Sequence, residues 1–227
     1  MTDIRKNLHL LRAAIDEACA RYGRAPDEVE LLAVSKRKPV TDLRAAIDAG
    51  QSAFGENYLQ EALTKIAALR EESVEWHFIG QIQSNKCRAI AENFDWVHTL
   101  DRLKVAEKLN REREGAPAPL NCLVQINSSG ETSKAGLRPE ELVEFAAECE
   151  SFEHLRIRGL MALPAPTMDF DQQRAAFKSL FKSISKHSTT PQGWDTYSLG
   201  TSRDYVAAIA EGATLVRLGE AVFGARD

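Results

Sequence analysis

The sequence predicts an α/β fold: a single (β/α)8 barrel of the TIM type with an additional N-terminal helix. Eight short apolar runs alternate with segments of helical periodicity along the 227 residues. Most connections after the strands are short, and no change of composition divides the chain, so residues 1–227 are expected to form one domain. A doubly wound open sheet is the alternative. It would show a glycine-rich first turn, whereas residues 35–39 contain no glycine.

Apolar periodicity places the elements in order along the chain. A first helix is expected over about residues 2–21, because apolar residues recur every three to four positions until Gly23. The predicted strands are residues 29–36, 52–55, 75–80, 96–100, 120–126, 155–161, 194–198 and 214–218. Predicted helices cover about 41–50, 59–70, 85–93, 103–109, 171–186 and 204–211, another opens at Pro139, and Gly219 precedes a last one. Thr41 and Asp101 are the expected caps of two of these helices.

Composition and charge exclude several function classes. The net charge of −4 disfavours a strongly basic nucleic-acid binder. The N-terminus lacks the apolar core of a signal peptide, and no apolar run is long enough to span a bilayer. The four cysteines are scattered, which indicates reduced thiols and a cytoplasmic protein. The histidines show no metal-ligand spacing, so no metal is expected.

Lys36 closes the first apolar strand and is the first candidate functional residue. Burial at such a position lowers the pKa of a lysine, and a neutral amine can attack an aldehyde to form a Schiff base. The alternative is a strand-end lysine whose ammonium group reaches solvent. This stretch alone leaves both interpretations open.

The loops after the last two strands are the second candidate feature, because barrels often bind phosphate there. Gly200, Thr201 and Ser202 follow the seventh strand and offer close backbone approach, hydroxyls and N–H groups. Gly219 and Glu220 follow the eighth. Ser202 could equally be a structural helix cap, and Arg217 either a buried, paired arginine or a ligand contact. A phosphate cradle facing an amine fits pyridoxal phosphate, an aldehyde-bearing phosphate ester.

Seven motifs carry a family resemblance that extends over nearly the whole chain. They are Val34-Ser35-Lys36 with Lys38-Pro39, Phe54-Gly55-Glu56-Asn57, His77-Phe78-Ile79-Gly80, Gln83-Ser84-Asn85-Lys86, Gly159-Leu160-Met161, Ser198-Leu199-Gly200-Thr201-Ser202 and Val222-Phe223-Gly224. With them the chain resembles the pyridoxal-phosphate homeostasis protein family, whose fold-type III barrel is related to the N-terminal domain of alanine racemase.

The resemblance implies a pyridoxal 5'-phosphate site with assigned roles. Lys36 would hold the cofactor as a Schiff base, Ser202 and the backbone around Gly219 and Glu220 would bind the phosphate, and Arg217 would face the pyridine nitrogen. Asn57, Gly200 and Thr201 complete the candidate cofactor-binding set. The sequence departs from the family pattern at Leu199, Thr201 and Glu220. Because a carboxylate repels phosphate, we expect Glu220 to contribute its backbone only.

An arginine at the pyridine nitrogen bears on the function. A guanidinium only donates, so the ring nitrogen stays unprotonated and the ring is a poor electron sink. The resemblance further implies that racemases of this fold type use a second acid/base supplied through a C-terminal domain, and this sequence ends at Asp227. We therefore expect a monomeric carrier and regulator of pyridoxal phosphate, with apo-enzymes as acceptors and neither nucleic acid nor membrane as partners. The alternatives are an amino-acid racemase and a barrel that binds a sugar phosphate.

Four further side chains have two interpretations each. Lys38 and Lys134 are either solvated loop lysines or amines that take over the cofactor. His77 is either a hydrogen-bonded core histidine or a general base. Met161 either packs in the core or lines the pocket.

Overall fold

The computed structural model describes residues 2–128, 135–187 and 193–224. It confirms the predicted fold: eight parallel strands form one closed barrel in the order β1 to β8, with a helix after each strand and α1 before the first. The strands are β1 Glu30–Val34, β2 Ala53–Glu56, β3 Glu75–Phe78, β4 Trp96–Leu100, β5 Leu120–Ile126, β6 Leu155–Ala162, β7 Thr196–Thr201 and β8 Leu215–Leu218.

The helices cover the outside of the barrel. They are α1 Ile4–Arg21, α2 Val40–Asp48, α3 Leu59–Ala68, α4 Cys87–Asn93, α5 Leu103–Glu112, α6 Leu142–Cys149, α7 Phe170–His187, α8 Tyr205–Ala210 and α9 Glu220–Phe223. Short 3-10 turns precede α4 and α6. No described helix combines the length and the apolar character needed to cross a bilayer.

Side chains alternate between two cores because successive strand residues face opposite sides. Leu31 and Ala33 of β1 belong to the large core between the barrel and its helices. Leu32 points inward and packs with Ala53 and Leu215. A second small inner cluster joins the apolar side chains of Trp96, Leu123 and Met161.

Polar side chains also occupy inward-facing positions of the strands. His77, His98, Ser198 and Arg217 are all buried. A buried polar group is costly unless it forms hydrogen bonds, so these four side chains are expected to be bonded to one another or to the backbone.

Three local predictions were wrong. α2 begins at Val40, after the extended backbone of Pro39, so Thr41 lies within the helix and caps nothing. α5 has Arg102 at its N-cap, and the Asp101 carboxylate accepts from the Arg102 guanidinium instead. β7 extends to Thr201 through the stretch predicted as a loop. Its pairing with β8 shifts register between Ser198 and Thr201, and the strand ends three residues later than predicted.

Candidate functional site

A cavity of about 340 Å³ opens at the carboxyl ends of the strands. Its walls come from segments that end or follow six of the eight strands: Val34, Lys36, Lys38, Asn57, Ile79, Met161, Leu163, Thr201, Ser202, Arg203, Arg217, Gly219, Glu220 and Gly224. Barrel closure therefore brings together every predicted site residue except Gly200, which lines a neighbouring cleft formed with residues 162–168.

The turn after β1 presents two lysines to this cavity. Lys36 is half-buried, and Arg37 adopts a left-handed conformation with φ 61°. That conformation costs a non-glycine residue about 1 kcal/mol. It is held by the Arg37 N–H, which donates to Glu61, and by its guanidinium, which lies 5.5 Å from the ring centre of Tyr58.

Lys38 reaches the neighbouring segment of the cavity wall, which follows β8. Its ammonium donates to the carbonyl of Phe223, at 3.2 Å, so the turn after β1 is tied to the end of α9. The side chain is half-buried, and its role in taking over the cofactor stays a prediction. Lys134 lies outside the described residues, and its role stays a prediction.

A buried ionic cluster contacts the turn that carries Lys36. This cluster was not predicted from the sequence. The Lys65 ammonium donates to Glu56 at 2.7 Å, to Glu61 at 2.6 Å and to the Ser35 carbonyl at 2.8 Å. The Ser35 hydroxyl donates to Glu56 at 2.6 Å. Burial raises the pKa of Glu56, and the bonds from Lys65 and Ser35 oppose that rise. The i,i+4 spacing of Glu61 and Lys65 on α3 was the available sequence signal.

The predicted phosphate rim joins two loops. Ser202 accepts a hydrogen bond from the N–H of Ala221, at 3.2 Å, and so connects the loop after β7 to the first turn of α9. It does not cap α8, whose N-cap is Asp204. Asp204 instead accepts from both the N–H and the hydroxyl of Thr201, at 2.7 Å each. Glu220 is exposed at the start of α9.

Gly200, near the end of β7, and Gly219, which follows β8, have packing reasons for their identity. Gly200 has φ +84°, and a Cβ there would lie 2.7 Å from the Cβ of Ala208 in α8. A Cβ on Gly219 would lie 3.1 Å from the carbonyl oxygen of Val34. Both glycines therefore allow the close packing of neighbouring elements, and their contact with a ligand stays a prediction.

Arg217 points inward from β8 and is bonded to neutral oxygens. Its guanidinium donates to the carbonyl and hydroxyl oxygens of Ser198, the latter at 2.6 Å, and to the carbonyl of Ala162 at 3.0 Å. Burial lowers the pKa of Arg217 to about 10, while Asp204 opposes that shift. The side chain therefore remains a cation at neutral pH and lines the cavity as a donor.

Asn57 lines the cavity and has a side-chain oxygen without a described hydrogen-bond partner. That oxygen, Oδ1, is buried.

Met161 both lines the cavity and packs with Trp96 and Leu123, so its two interpretations are compatible. His77 is fully buried and bonded through both ring nitrogens, which matches the core-histidine interpretation.

Comparison with known proteins identifies relatives over the full length of the chain. The family model of the alanine racemase N-terminal domain matches residues 7–227. A pyridoxal phosphate homeostasis protein of Escherichia coli (strain K12) is 50% identical over 230 residues, covering 100% of this chain and 98% of the relative. The protein of the same name from Haemophilus influenzae is 47% identical, with 99% and 97% covered.

Solved structures share the same barrel. PipY of Synechococcus elongatus PCC7942, in a structure with PLP bound, is 32% identical with a TM-score of 0.83, covering 97% of this chain and 100% of PipY. Alanine racemase from Corynebacterium glutamicum is 18% identical with a TM-score of 0.68, covering 99% of this chain and 61% of the racemase. The second likeness is one of fold alone.

Proposed function

Since the chain belongs to the family of pyridoxal phosphate homeostasis proteins, with the alanine racemase N-terminal domain fold, we propose that it binds pyridoxal 5'-phosphate and acts in its intracellular homeostasis. One observation carries the proposal: Lys36 lies far in sequence from Ser202 and Arg217, yet all three line a single cavity. An amine, a phosphate-binding rim and a fixed hydrogen-bond donor are the three groups that this cofactor requires.

The residues present fit the cofactor. Lys36 would hold it as a Schiff base, and Ser202 with the backbone at Gly219 and Glu220 would bind its phosphate. Thr201, whose N–H and hydroxyl both donate to Asp204, would line the cavity beside it. Arg217 would donate to the ring nitrogen. The unpartnered Asn57 Oδ1 supports the fit, because a buried acceptor without a donor is rare unless a ligand supplies one. The cavity volume is also that of a site for one small ligand.

We propose that the protein carries and regulates the cofactor without efficient turnover. When bound, pyridoxal phosphate supplies an aldehyde and an electron-withdrawing ring. Arg217 can only donate, so it keeps the ring nitrogen unprotonated and limits that withdrawal. The other ionisable residues among the described cavity walls are Lys36, Lys38, Arg203 and Glu220. The carboxylate of Glu220 is exposed.

We further propose one cytoplasmic, monomeric domain that delivers the cofactor to apo-enzymes. The four cysteines are buried and unpaired, which fits a reducing compartment. Burial raises the pKa of Cys149 to about 12 and that of Cys122 further, so both thiols are protonated and inert.

A visible absorption spectrum with borohydride reduction tests the attachment. Purified protein mixed with pyridoxal 5'-phosphate should show a Schiff-base band, and reduction should fix the cofactor to the peptide that contains Lys36. Lys36→Ala should abolish the band. Two controls are matched: Lys38→Ala removes the other cavity lysine, and Lys104→Ala removes an exposed lysine of α5. An unchanged band in Lys36→Ala would place the attachment elsewhere, and a protein that stays colourless would favour a sugar-phosphate ligand.

Turnover is tested separately with the loaded protein. Incubation with the enantiomers of alanine and serine should leave their chirality unchanged over many cofactor equivalents. Sustained racemisation at ordinary enzyme rates, about 1–1000 per second, would contradict the carrier proposal and support the racemase alternative.

A further inference from the structure

A continuous line of hydrogen bonds crosses the barrel interior and ends at Arg217. From the amino-terminal end of β3, Glu75 Oε1 lies 2.8 Å from His77 Nε2, and His77 Nδ1 lies 2.8 Å from His98 Nε2. His98 Nδ1 lies 3.0 Å from the Ser198 hydroxyl, which the Arg217 guanidinium contacts at 2.6 Å. We call these five residues the relay; Glu75 is partly exposed at its outer end, and the other four are buried.

Hydrogen-bond chemistry at the two ends gives the relay one direction. Arg217 can only donate, so the Ser198 oxygen accepts from it and its own proton is available for His98 Nδ1. Burial holds the pKa of His98 well below its usual range, so His98 is neutral and carries its single proton on Nε2. His77 then accepts at Nδ1 and donates from Nε2 to the Glu75 carboxylate.

Glu75 agrees with that direction, and further charged and aromatic groups lie near its end of the relay. The His77 bond holds the pKa of Glu75 below its usual value, so Glu75 is an anion and can only accept. Glu30 also faces this end, and burial raises its pKa. The Arg158 guanidinium lies 5.0 Å from the ring centre of Trp96, whose ring stacks on His77 with centroids 5.4 Å apart.

We infer that Ser198, His98 and His77 are positioning residues for the cofactor's ring nitrogen. They do not line the cavity, and they act through Arg217. With Ser198 fixed as a donor toward His98, its oxygen is a permanent acceptor for Nη1 of the guanidinium, and the Ala162 carbonyl accepts from Nη2. The remaining N–H groups are then held in one orientation toward the cavity. This inference rests on the proposed function only in naming the ligand.

The direction of the relay can be measured without any ligand. In 15N-labelled full-length protein, nitrogen chemical shifts should show His77 and His98 as neutral imidazoles with the proton on Nε2 at pH 7–8. The ring of His9, which is exposed, supplies signals for comparison. Ser198→Ala should free His98 Nδ1 from its donor and give a mixture of His98 tautomers.

Thr99→Val is the matched control, because Thr99 is a buried hydroxyl next to His98 that donates to the Gly80 carbonyl and not to the relay. It should leave both tautomers unchanged. A proton on His98 Nδ1, or a doubly protonated His77 at neutral pH, would overturn the inference, since either reverses the relay.

A pair of ligands tests the positioning role. The dissociation constants of pyridoxal 5'-phosphate and of its deaza analogue, in which C–H replaces the ring nitrogen, are compared in wild type and variants. Ser198→Ala should weaken binding of the natural cofactor about tenfold, the loss expected for one hydrogen bond to a charged group. It should change binding of the analogue little. Ser198→Thr, which keeps the hydroxyl, should restore most of the affinity.

The outcomes separate the two proposals. Equal weakening for both ligands would mean that Ser198 is merely structural and would overturn the positioning role. The expected tautomers in a wild-type protein that binds no pyridoxal phosphate would refute the proposed function while supporting the relay.

Discussion

His98 shows how a single buried residue depends on its bonded neighbours. Its ring has no exposed surface, and both nitrogens contact polar partners, His77 and Ser198. A charged imidazole at that position would lack solvation and would lie near the Arg217 cation. The residue is therefore stable in the barrel only as a neutral ring with both nitrogens bonded.

We predict that His98 makes the protein less stable as pH falls below about 6.5. Its pKa is depressed in the folded state, so the unfolded chain binds a proton that the folded chain does not. The stabilising contribution is complete above the unfolded pKa and is lost progressively as pH falls towards the folded pKa, at up to about 1.4 kcal/mol per pH unit.

Urea unfolding of wild type, His98→Gln and His9→Gln at several pH values between 7.5 and 5.5 provides the measurement. The wild-type and His9→Gln slopes should agree, and the His98→Gln slope should be smaller. Parallel slopes for all three proteins would show that His98 does not contribute.

At the level of elements, helix α3 stabilises the turn that carries Lys36 through a single lysine. Lys65 extends from α3 to the end of β2 and to the turn after β1, and it is 3% exposed. Glu56, its partner, is fully buried and has one oxygen without a bond from a described group. A buried pair of this kind contributes little over an apolar pair, but removing one partner strands a charge.

We predict that Lys65→Met destabilises the protein by about 3–5 kcal/mol, because Glu56 is left buried and unpaired. The double variant Glu56→Gln/Lys65→Met should recover part of that loss, since the fully buried charge is removed together with its partner. Arg70→Met, which breaks an exposed ion pair with Glu71, should change little. The readout is the free energy of unfolding in urea. A double variant as unstable as the single one would mean that packing of the Lys65 stem, not the stranded charge, determines the loss.

At the level of the whole molecule, barrel closure assembles the cavity. β1 pairs with β8, in register from Glu30 with Leu215 to Ala33 with Leu218. This pairing places the turn that carries Lys36 beside the loop that carries Gly219. A ligand that contacts both therefore binds the closed barrel and not the unfolded chain, so binding and folding are thermodynamically linked.

Ligand-linked stability should therefore follow the cavity residues. At one hundred times its dissociation constant, pyridoxal 5'-phosphate should raise the free energy of unfolding by about 2.7 kcal/mol. At the same ligand concentration Lys36→Ala should show a smaller gain, because the covalent contact is lost. Thermal unfolding with and without ligand provides the measurement, with Lys104→Ala as the variant expected to match wild type. An equal gain in Lys36→Ala would place the ligand away from this lysine.

Periodicity and short motifs were sufficient to predict the barrel, the order of its elements and most of the cavity residues. Apolar repeats reflect the periodicity of a single element, so they can be read from the local sequence. The rule that barrel sites lie at the carboxyl ends of the strands then predicts that Lys36, Ser202 and Arg217 share one site. The wrong caps at Thr41 and Asp101 belong to the same local level, where several residues compete for one helix start.

Only the tertiary structure decided which partners the polar residues have. Ser202 bonds to α9 rather than capping α8, Lys65 joins two carboxylates below the Lys36 turn, and His98 lies between His77 and Ser198. His98 and Ser198 are 100 residues apart. Strand phase indicates that each side chain points inward, but their distance depends on the stagger of strands around the closed barrel, and no local pattern encodes that stagger.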